Sequence, residues 1–313
     1  MTGSRIVALG HYQPTKVVTN DDLAQTLDTS DEWIRSRVGI ATRRIAAPEE
    51  TVADMATAAA EKALANSGLT AADIDLVVVA TCSSADRCPN VAARVAANLR
   101  IEAPGAYDIN TACSGFCYAL GTVDHAIRSG AARNALVIGA EKLSAITDWT
   151  DRSTAVIFGD GAGAAVVTAS DEPGIGPVLW GSDPSMKDAV VIEGWQPLIR
   201  QAGQTVFRWT TFTLPKLAVE VCERAGVKPS ELAGFIPHQA NLRIIEPLAR
   251  KLGVADDAVI GRDIVESGNT SAASIPMAFS KLVERGEIPS GAPVLLFGFG
   301  GGLTYAGQVV RCP

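Results

Sequence analysis

The sequence predicts a layered α/β fold assembled from two duplicated halves, 1–170 and 171–313, and three observations predict it. Helical stretches alternate with short β-branched apolar stretches such as Leu76, Val77, Val78 and Val79, the pattern of strands buried between helical layers. Segments of the first half recur in the second at an offset of 158 residues, the distance from Gly68 to Gly226. The composition, 47% hydrophobic and 19% charged over 313 residues, is that of an ordinary globular chain with enough length for a substantial core.

The elements follow in order. Thr29 and Glu32 read as a capping box opening a helix that carries Trp33. Residues 61–67 end a helix, Gly68 stops it, and residues 74–79 form a buried strand. Residues 105–111 read as a strand end and a turn, after which Phe116, Leu120, Val123 and Ile127 recur at helical spacing. Cys113 therefore falls at a helix N-terminus, where unpaired N–H groups and the helix dipole favour a thiolate and make the sulfur a nucleophile at neutral pH. On this segment alone, a small apolar cysteine packed in the core is the alternative. In the second half residues 219–225, Gly226 and 232–236 repeat the helix, stop and strand, and 294–298 overlays the strand at 136–140. At the same offset Cys113 overlays Ser271, so a second turn-to-helix junction is expected to begin at Asn269.

Three motifs of the second half stand at comparable ends of these elements. Pro237-His238-Gln239-Ala240-Asn241 puts a histidine at the carboxyl end of a strand, where ligands bind in open α/β sheets. Gly268-Asn269-Thr270-Ser271 is a tight turn feeding a helix, and 297–305 is a glycine-rich turn whose backbone N–H groups can approach a ligand. Each has a structural explanation of its own: a satisfied imidazole, a helix N-cap, a hairpin. Their recurrence at matched ends argues for one shared site.

The net charge of −7 disfavours non-specific nucleic-acid binding. No apolar run reaches the roughly 18 residues of a membrane span, and the N-terminus lacks a signal-peptide core. Six cysteines at 82, 88, 113, 117, 222 and 312, with no Cys-x-x-Cys and only His11, His125 and His238, argue against a disulfide framework or a zinc site. A reduced, cytoplasmic protein is expected, with Cys117 packed in the core one turn after Cys113.

Thr111-Ala112-Cys113-Ser114-Gly115-Phe116, the His238 motif extended through Ile245, the Asn269 motif extended through Pro276, and Phe299-Gly300-Gly301-Gly302 together resemble β-ketoacyl-acyl-carrier-protein synthase III, within the thiolase-fold condensing enzymes. The resemblance spans nearly the whole chain. It implies a thiolase-like layered αβαβα fold and a decarboxylative Claisen condensation of an acyl-CoA primer with malonyl-acyl-carrier protein, initiating fatty-acid synthesis through acyl-Cys113. His238 and Asn269 would donate to the thioester oxygen of the enolate, and Gly301 would lend an N–H to the oxyanion. It further implies that Trp33 and Arg152 sandwich the CoA adenine, that Arg37 meets the CoA phosphates and that Asn241 orients the site. Cys88, Leu143 and Phe207 would shape the acyl pocket, while Arg243, Arg250 and Lys251, extended by Arg208, form a basic patch for the acidic carrier. A homodimer is implied, with no membrane or nucleic-acid partner, no metal and no resident cofactor, since the CoA thioester and the carrier are substrates.

Two departures bear on the primer. Cys88 stands where Phe is common in acetyl-CoA-using members, a position that the resemblance implies reaches across the dimer into the partner's acyl pocket; the smaller cysteine implies a deeper pocket and tolerance of longer or branched primers such as isobutyryl-CoA. Residues 182–202 are short for the family and carry an unusual stretch around Trp195, so they are expected to reshape the acyl channel. A polyketide-pathway priming synthase or acyltransferase with another donor or acceptor is the alternative. A Cys–His–Asn hydrolase and a non-catalytic acyl-binding scaffold are further ones.

Overall fold

The computed structural model describes residues 3–194 and 198–313. Its first sheet is built from β1 (Gly3–Tyr12), β2 (Leu76–Ala80), β3 (Gly105–Ile109), β4 (Asn134–Lys142) and β5 (Asp160–Ser170), ordered β1-β5-β4-β2-β3. Its second is built from β6 (Leu179–Ser182), β7 (Gly234–Pro237), β8 (Val259–Ile260), β9 (Pro293–Gly300) and β10 (Thr304–Arg311), ordered β6-β10-β9-β7-β8. Set side by side, the two orders match strand for strand. So do the senses: β2 runs parallel to β3 and β4, while β4–β5 and β5–β1 are antiparallel. Likewise β7 runs parallel to β8 and β9, while β9–β10 and β10–β6 are antiparallel.

The helices that matter for the site are α1 (Asp31–Val38), α2 (Val52–Ser67), α3 (Val91–Asn98), α4 (Gly115–Arg128), α5 (Gly203–Phe212), α6 (Leu214–Arg224), α7 (Leu242–Leu252) and α8 (Ser274–Glu284). α4 and α8 lie between the sheets. Phe116, Leu120 and Val123 of α4 and Ile275 and Phe279 of α8 share one buried cluster with Val78, Val137, Ile236 and Leu296 from the two sheets. Fully burying each of these large side chains stabilises the fold by about 1.5–3 kcal/mol. α2 and α3 cover the outer face of the first sheet, and α6 and α7 that of the second. The result is the expected αβαβα stack. Cys117 is fully buried in its middle layer, as its position one turn after Cys113 suggested.

The repeat is visible in backbone detail. Gly68 and Gly226 both adopt left-handed φ, +74° and +66°, at the ends of α2 and α6. The junctions before α4 and α8 are also equivalent, with one correction. The left-handed residues are Ala112 (φ +49°) and Ser271 (φ +46°), and the short 3-10 turns are Ala112–Ser114 and Ser271–Ala273. Cys113 thus corresponds to Ala272, and Ser271 to Ala112; the offset has grown by one residue between β2 and this point. Asn110 and Asn269 are equivalent too, each side-chain oxygen accepting the N–H two residues on, at 3.2 and 2.8 Å. At α1 the cap is Ser30, which accepts the Trp33 N–H at 3.1 Å, and not Thr29, whose buried hydroxyl has no partner.

Candidate active site

The two junctions meet between the sheets. Gly139 of β4 lies so close to the second junction that a Cβ there would sit 2.2 Å from the Ala272 carbonyl oxygen. A Cβ on Gly115 would lie 2.9 Å from Ala80 and 3.4 Å from Ala272. From the other side the end of β9 presses on Cys113, because a Cβ on Gly300 would fall 2.8 Å from both the Cys113 backbone nitrogen and its Cβ. Gly301 sits one step further, against Ala112 and the Val190 carbonyl, both 3.4 Å from such a Cβ.

His238 follows β7 and is buried. Its N–H donates to the Phe297 carbonyl at 2.8 Å, its Nδ1 meets the Ser274 hydroxyl at 2.8 Å, and its ring packs edge-on against Phe299 at 5.3 Å. Gln239 fixes this strand end, donating to the Pro237 and Gly261 carbonyls and accepting from the Ile264 N–H. Burial lowers the imidazole to about 3, so His238 is neutral at physiological pH.

Asn269 is buried and held by segment 157–159 of the first half: its N–H donates to Ile157 and its carbonyl accepts from Gly159. With its amide oxygen taken by Ser271, the Nδ2 donor is the end left for the cavity that Asn269 lines. That cavity, of about 750 Å³, forms a mouth beside Asn269, walled by Phe207, Arg208 and Phe212 of α5 and by Asn241, Arg243 and Ile244.

Cys113 is half-buried as a residue, with its thiol enclosed. Here the structure departs from the expectation of a ready thiolate. Burial pushes the thiol up to about 12, and the nearby Glu141 carboxylate adds to the rise, against a lowering hydrogen bond from Ser271. A helix terminus is legible in sequence; the removal of water from the sulfur is a tertiary effect.

The remaining residues fall into three groups. At the outer lip the Arg152 guanidinium lies 4.8 Å from the Trp33 ring centroid and that of Arg37 5.9 Å. Two layers stacked on an intervening base need roughly 7 Å, twice a contact of about 3.5 Å. The pair is therefore closed on itself, Arg152 also donating to the Asp28 carbonyl at 2.6 Å. Asn241 caps α7 and donates to the Arg37 carbonyl at 3.3 Å, which ties α7 to α1; its amide groups bond these two and not His238.

Arg243, Arg250 and Lys251 are all exposed on α7. Arg243 lies over Phe207 at 5.8 Å, and Lys251 donates to the Thr211 carbonyl at 3.0 Å. Leu143 is fully buried in an apolar cluster with Ile146, Phe158 and Ile199, packed against Cys82, Val190 and Ile192. Phe207 is not brought to it. Phe207 is 40% exposed in the mouth, because α5 lies outside the sheets. Cys88, expected in the pocket of a partner copy, is exposed on the loop between β2 and α3. In segment 182–202, a hairpin of Val190–Ile192 and Ile199–Gln201 borders the Leu143 cluster, while Trp195 lies outside the described residues. Sequence reading did not single out Glu141 or Ser274 and gave Ser271 no role beyond its place in the repeat. Glu141 alone left a signal, an acid closing the otherwise apolar stretch 135–140.

Among the described residues no helix is long and apolar enough to cross a membrane. The family profile for 3-oxoacyl-[acyl-carrier-protein (ACP)] synthase III matches residues 107–184, and that for its C-terminal part matches 222–312. The chain is 66% identical to β-ketoacyl-[acyl-carrier-protein] synthase III 2 of Streptomyces avermitilis, over 100% of both chains. In fold it is similar to the priming β-ketosynthase of a polyketide biosynthetic pathway, with TM-score 0.97, 41% identity and coverage of 99% and 96%. It is also similar to 3-oxoacyl-[acyl-carrier-protein] synthase III of Aquifex aeolicus, with TM-score 0.94, 44% identity and coverage of 99% and 100%. The paired junctions, the duplicated sheets and these relationships agree, and the chain belongs to the β-ketoacyl-acyl-carrier-protein synthase III family, the acyl-transferring condensing enzymes of thiolase-like fold.

Proposed function

We propose that this enzyme starts fatty-acid chains, condensing an acyl-CoA primer with malonyl-acyl-carrier protein to give a 3-oxoacyl-acyl-carrier protein. The observation that carries the reading is the meeting of the two junctions. The half 1–170 brings Cys113, the half 171–313 brings His238 and Asn269, and Gly300 closes against the nucleophile. Cys113 attacks the primer thioester and expels CoA, with the N–H groups of Cys113 and Gly301 serving the oxyanion. Malonyl-carrier then loses carbon dioxide, and the enolate oxygen takes hydrogen bonds from His238 Nε2 and Asn269 Nδ2 that strengthen as charge develops. The neutral imidazole and the occupied Asn269 oxygen support this assignment, because each residue then presents a donor. A Ser274 hydroxyl that donates to Nδ1 leaves the proton on Nε2. The enolate carbon attacks acyl-Cys113 and the product leaves on the carrier.

Both thioesters are substrates, and no resident cofactor or metal enters a step. CoA binds through the mouth, its adenine entering between Trp33 and Arg152 as Arg152 draws back, with Arg37 at its phosphates and Asn241 holding α1 and α7 in register. The carrier docks on Arg243, Arg250 and Lys251, a basic patch on an acidic chain. The enzyme works as a cytoplasmic homodimer in which Cys88, exposed on its own chain, caps the acyl pocket of the partner copy next to Leu143. A small cap leaves room for branched or longer primers.

Likeness to a priming β-ketosynthase favours a second reading, in which the same acyl-Cys113 primes a polyketide. Intact-protein mass spectrometry after incubation with a panel of acyl-CoAs, then malonyl-carrier, tests both, with Cys113→Ala as control. Adducts that require Cys113 and turn over to 3-oxoacyl-carrier support the synthase, and their ranking names the primer. Adducts that persist until another acceptor is supplied support the alternative. A strong preference for acetyl-CoA over every larger primer would sink the assignment to Cys88.

A further inference from the structure

Glu141 is a charged group that the condensation above does not use. It lies near the end of β4, fully buried, and gathers donors from both halves. Thr81 Oγ1 lies at 3.1 Å, the Cys82 N–H at 3.1 Å, Cys82 Sγ at 3.3 Å and the Ala272 N–H at 3.5 Å, with the Ser83 hydroxyl also bonded. Burial raises this carboxyl above its usual range, and the hydrogen bonds work against that rise, since every one of these partners is neutral and presents a hydrogen to the ionised form. Ser271 joins this group to the nucleophile. Its hydroxyl oxygen lies 3.8 Å from Cys82 Sγ, which itself donates to Glu141 at 3.3 Å, and the same hydroxyl favours the ionised forms of both the Cys113 thiol and the Glu141 carboxyl. Ser271 reaches this place by a left-handed backbone uncommon for a residue with a side chain.

We propose that Ser271 and Glu141 form a proton relay for Cys113, in which Glu141 acts through Ser271 and stores the thiol proton between the two half-reactions. The relay rests on the acyl-transfer reading above. As the sulfur lone pair forms the S–C bond, the carbonyl π electrons move to oxygen. The thiol proton passes to the Ser271 oxygen while the Ser271 proton passes to Glu141. Collapse of the tetrahedral intermediate breaks the C–S bond to CoA, which leaves as a thiolate and takes a proton from solvent. In the second half-reaction the enolate displaces Cys113 as a thiolate, and the stored proton returns from Glu141 through Ser271. The enzyme ends as it began.

The physical need is plain, since burial and the Glu141 charge both hold the proton on sulfur in the resting state. Cys82, the third titratable group facing the relay, is pushed well above the usual thiol range by burial and by Glu141, so it remains a donor.

The test follows acylation of Ser271→Ala and Glu141→Gln by intact-protein mass spectrometry, with acetyl-CoA and isobutyryl-CoA, from mildly acidic to mildly alkaline pH. Iodoacetamide alkylation of Cys113 is measured alongside. Decarboxylation of malonyl-carrier reports whether His238 and Asn269 are still in place. The relay predicts acylation slowed about 10²-fold in both variants, with decarboxylation retained. For Glu141→Gln it also predicts alkylation displaced to lower pH, because the negative charge beside the sulfur is gone. A glutamate acting by its charge alone would, once neutralised, speed acylation and alkylation together. Faster acylation in Glu141→Gln, or a wild-type rate in Ser271→Ala, overturns the relay, and Ser271→Ala decides if Glu141→Gln does not fold. A wild-type chain that takes no acyl group on Cys113 overturns the acyl-transfer reading and the relay with it.

Discussion

Gly300→Ala and Gly301→Ala are adjacent one-methyl additions with opposite expected outcomes. A methyl at 300 would lie 2.8 Å from the Cys113 nitrogen, 2.8 Å from its Cβ and 3.2 Å from its Cα. None of these is the tip of a flexible side chain. Nor can Cys113 retreat freely, because it is fixed between the left-handed Ala112 and the first turn of α4. Overpacking of this kind costs about 1–3 kcal/mol, or roughly 2–6 °C in Tm for a chain of this size. The effect on chemistry is larger, since a nucleophile displaced by about 1 Å loses about 10²-fold in rate. At 301 the nearest atoms are Ala112 Cβ and the Val190 oxygen, both at 3.4 Å, which is ordinary contact. Gly301→Ala should therefore melt within about 1 °C of wild type and acylate within a few-fold, changes well below the overpacking cost. Thermal melts and the rate of acyl-Cys113 formation measure both variants. A Gly300→Ala enzyme with wild-type Tm and acylation rate would refute the packing argument, and with it the placement of this loop against the nucleophile.

Asn269→Ala removes the Nδ2 donor and the bond to the Ser271 N–H; it should cut malonyl-carrier decarboxylation by about 10²–10³-fold while Cys113 still acylates, as radiolabelled carbon dioxide release and mass spectrometry would report. Arg152→Ala removes the guanidinium stacked 4.8 Å from Trp33. It should raise KM for the acyl-CoA roughly 5–30-fold, about 1–2 kcal/mol, with kcat unchanged, and a fall in kcat alone would show that Arg152 acts elsewhere. For pH, the relevant fact is that His238 is lowered from 6.5 to about 3 by burial. The unfolded chain then binds this proton first as pH falls, so the contribution to stability is present above pH 6.5 and is lost progressively toward pH 3. Urea midpoints should fall across that window more steeply in wild type than in His238→Gln; parallel slopes would mean the imidazole is not dry.

Much of this fold was legible because local rules and tertiary structure agreed. The run from Leu76 to Val79 could only be a buried strand, and Gly68 and Gly226 stop helices in left-handed φ where the pattern placed them. That Cys113, His238 and Asn269 stand at the ends of elements was legible from hydrophobic periodicity; the roles expected of them came from the family resemblance. What sequence reading missed depends on approach in three dimensions. Nothing in the segment around Phe207 says that α5 lies outside the sheets, so an aromatic of the mouth was assigned to the acyl pocket. Nothing near Trp33 says that Arg152 already occupies its face. The overlay of Cys113 on Ser271 failed by one residue for a related reason: an offset is constant only while both halves keep the same spacing between elements, whereas backbone φ identifies equivalence directly.

That one-residue correction changes what the duplication explains. The two junctions share an asparagine that turns the chain, a left-handed residue after it and a helix running into the middle layer. In the first junction the left-handed position holds Ala112 and the next holds the thiol; in the second, the left-handed position holds Ser271 and the next holds Ala272. Because the halves pack with their junctions in contact, reactive groups at the same register would compete for one space. Stepping the hydroxyl back by one residue, onto the left-handed position, gives the thiol a hydrogen-bonding neighbour from the other half. The same packing delivers the Ala272 N–H to Glu141 at 3.5 Å. The carboxylate thus takes donors from Thr81, Cys82 and Ser83 of its own half and one from Ala272 of the other. Two copies of one scaffold supply Cys113 on one side and His238 and Asn269 on the other, and their contact also makes the dry pocket that encloses the Cys113 thiol beside Glu141.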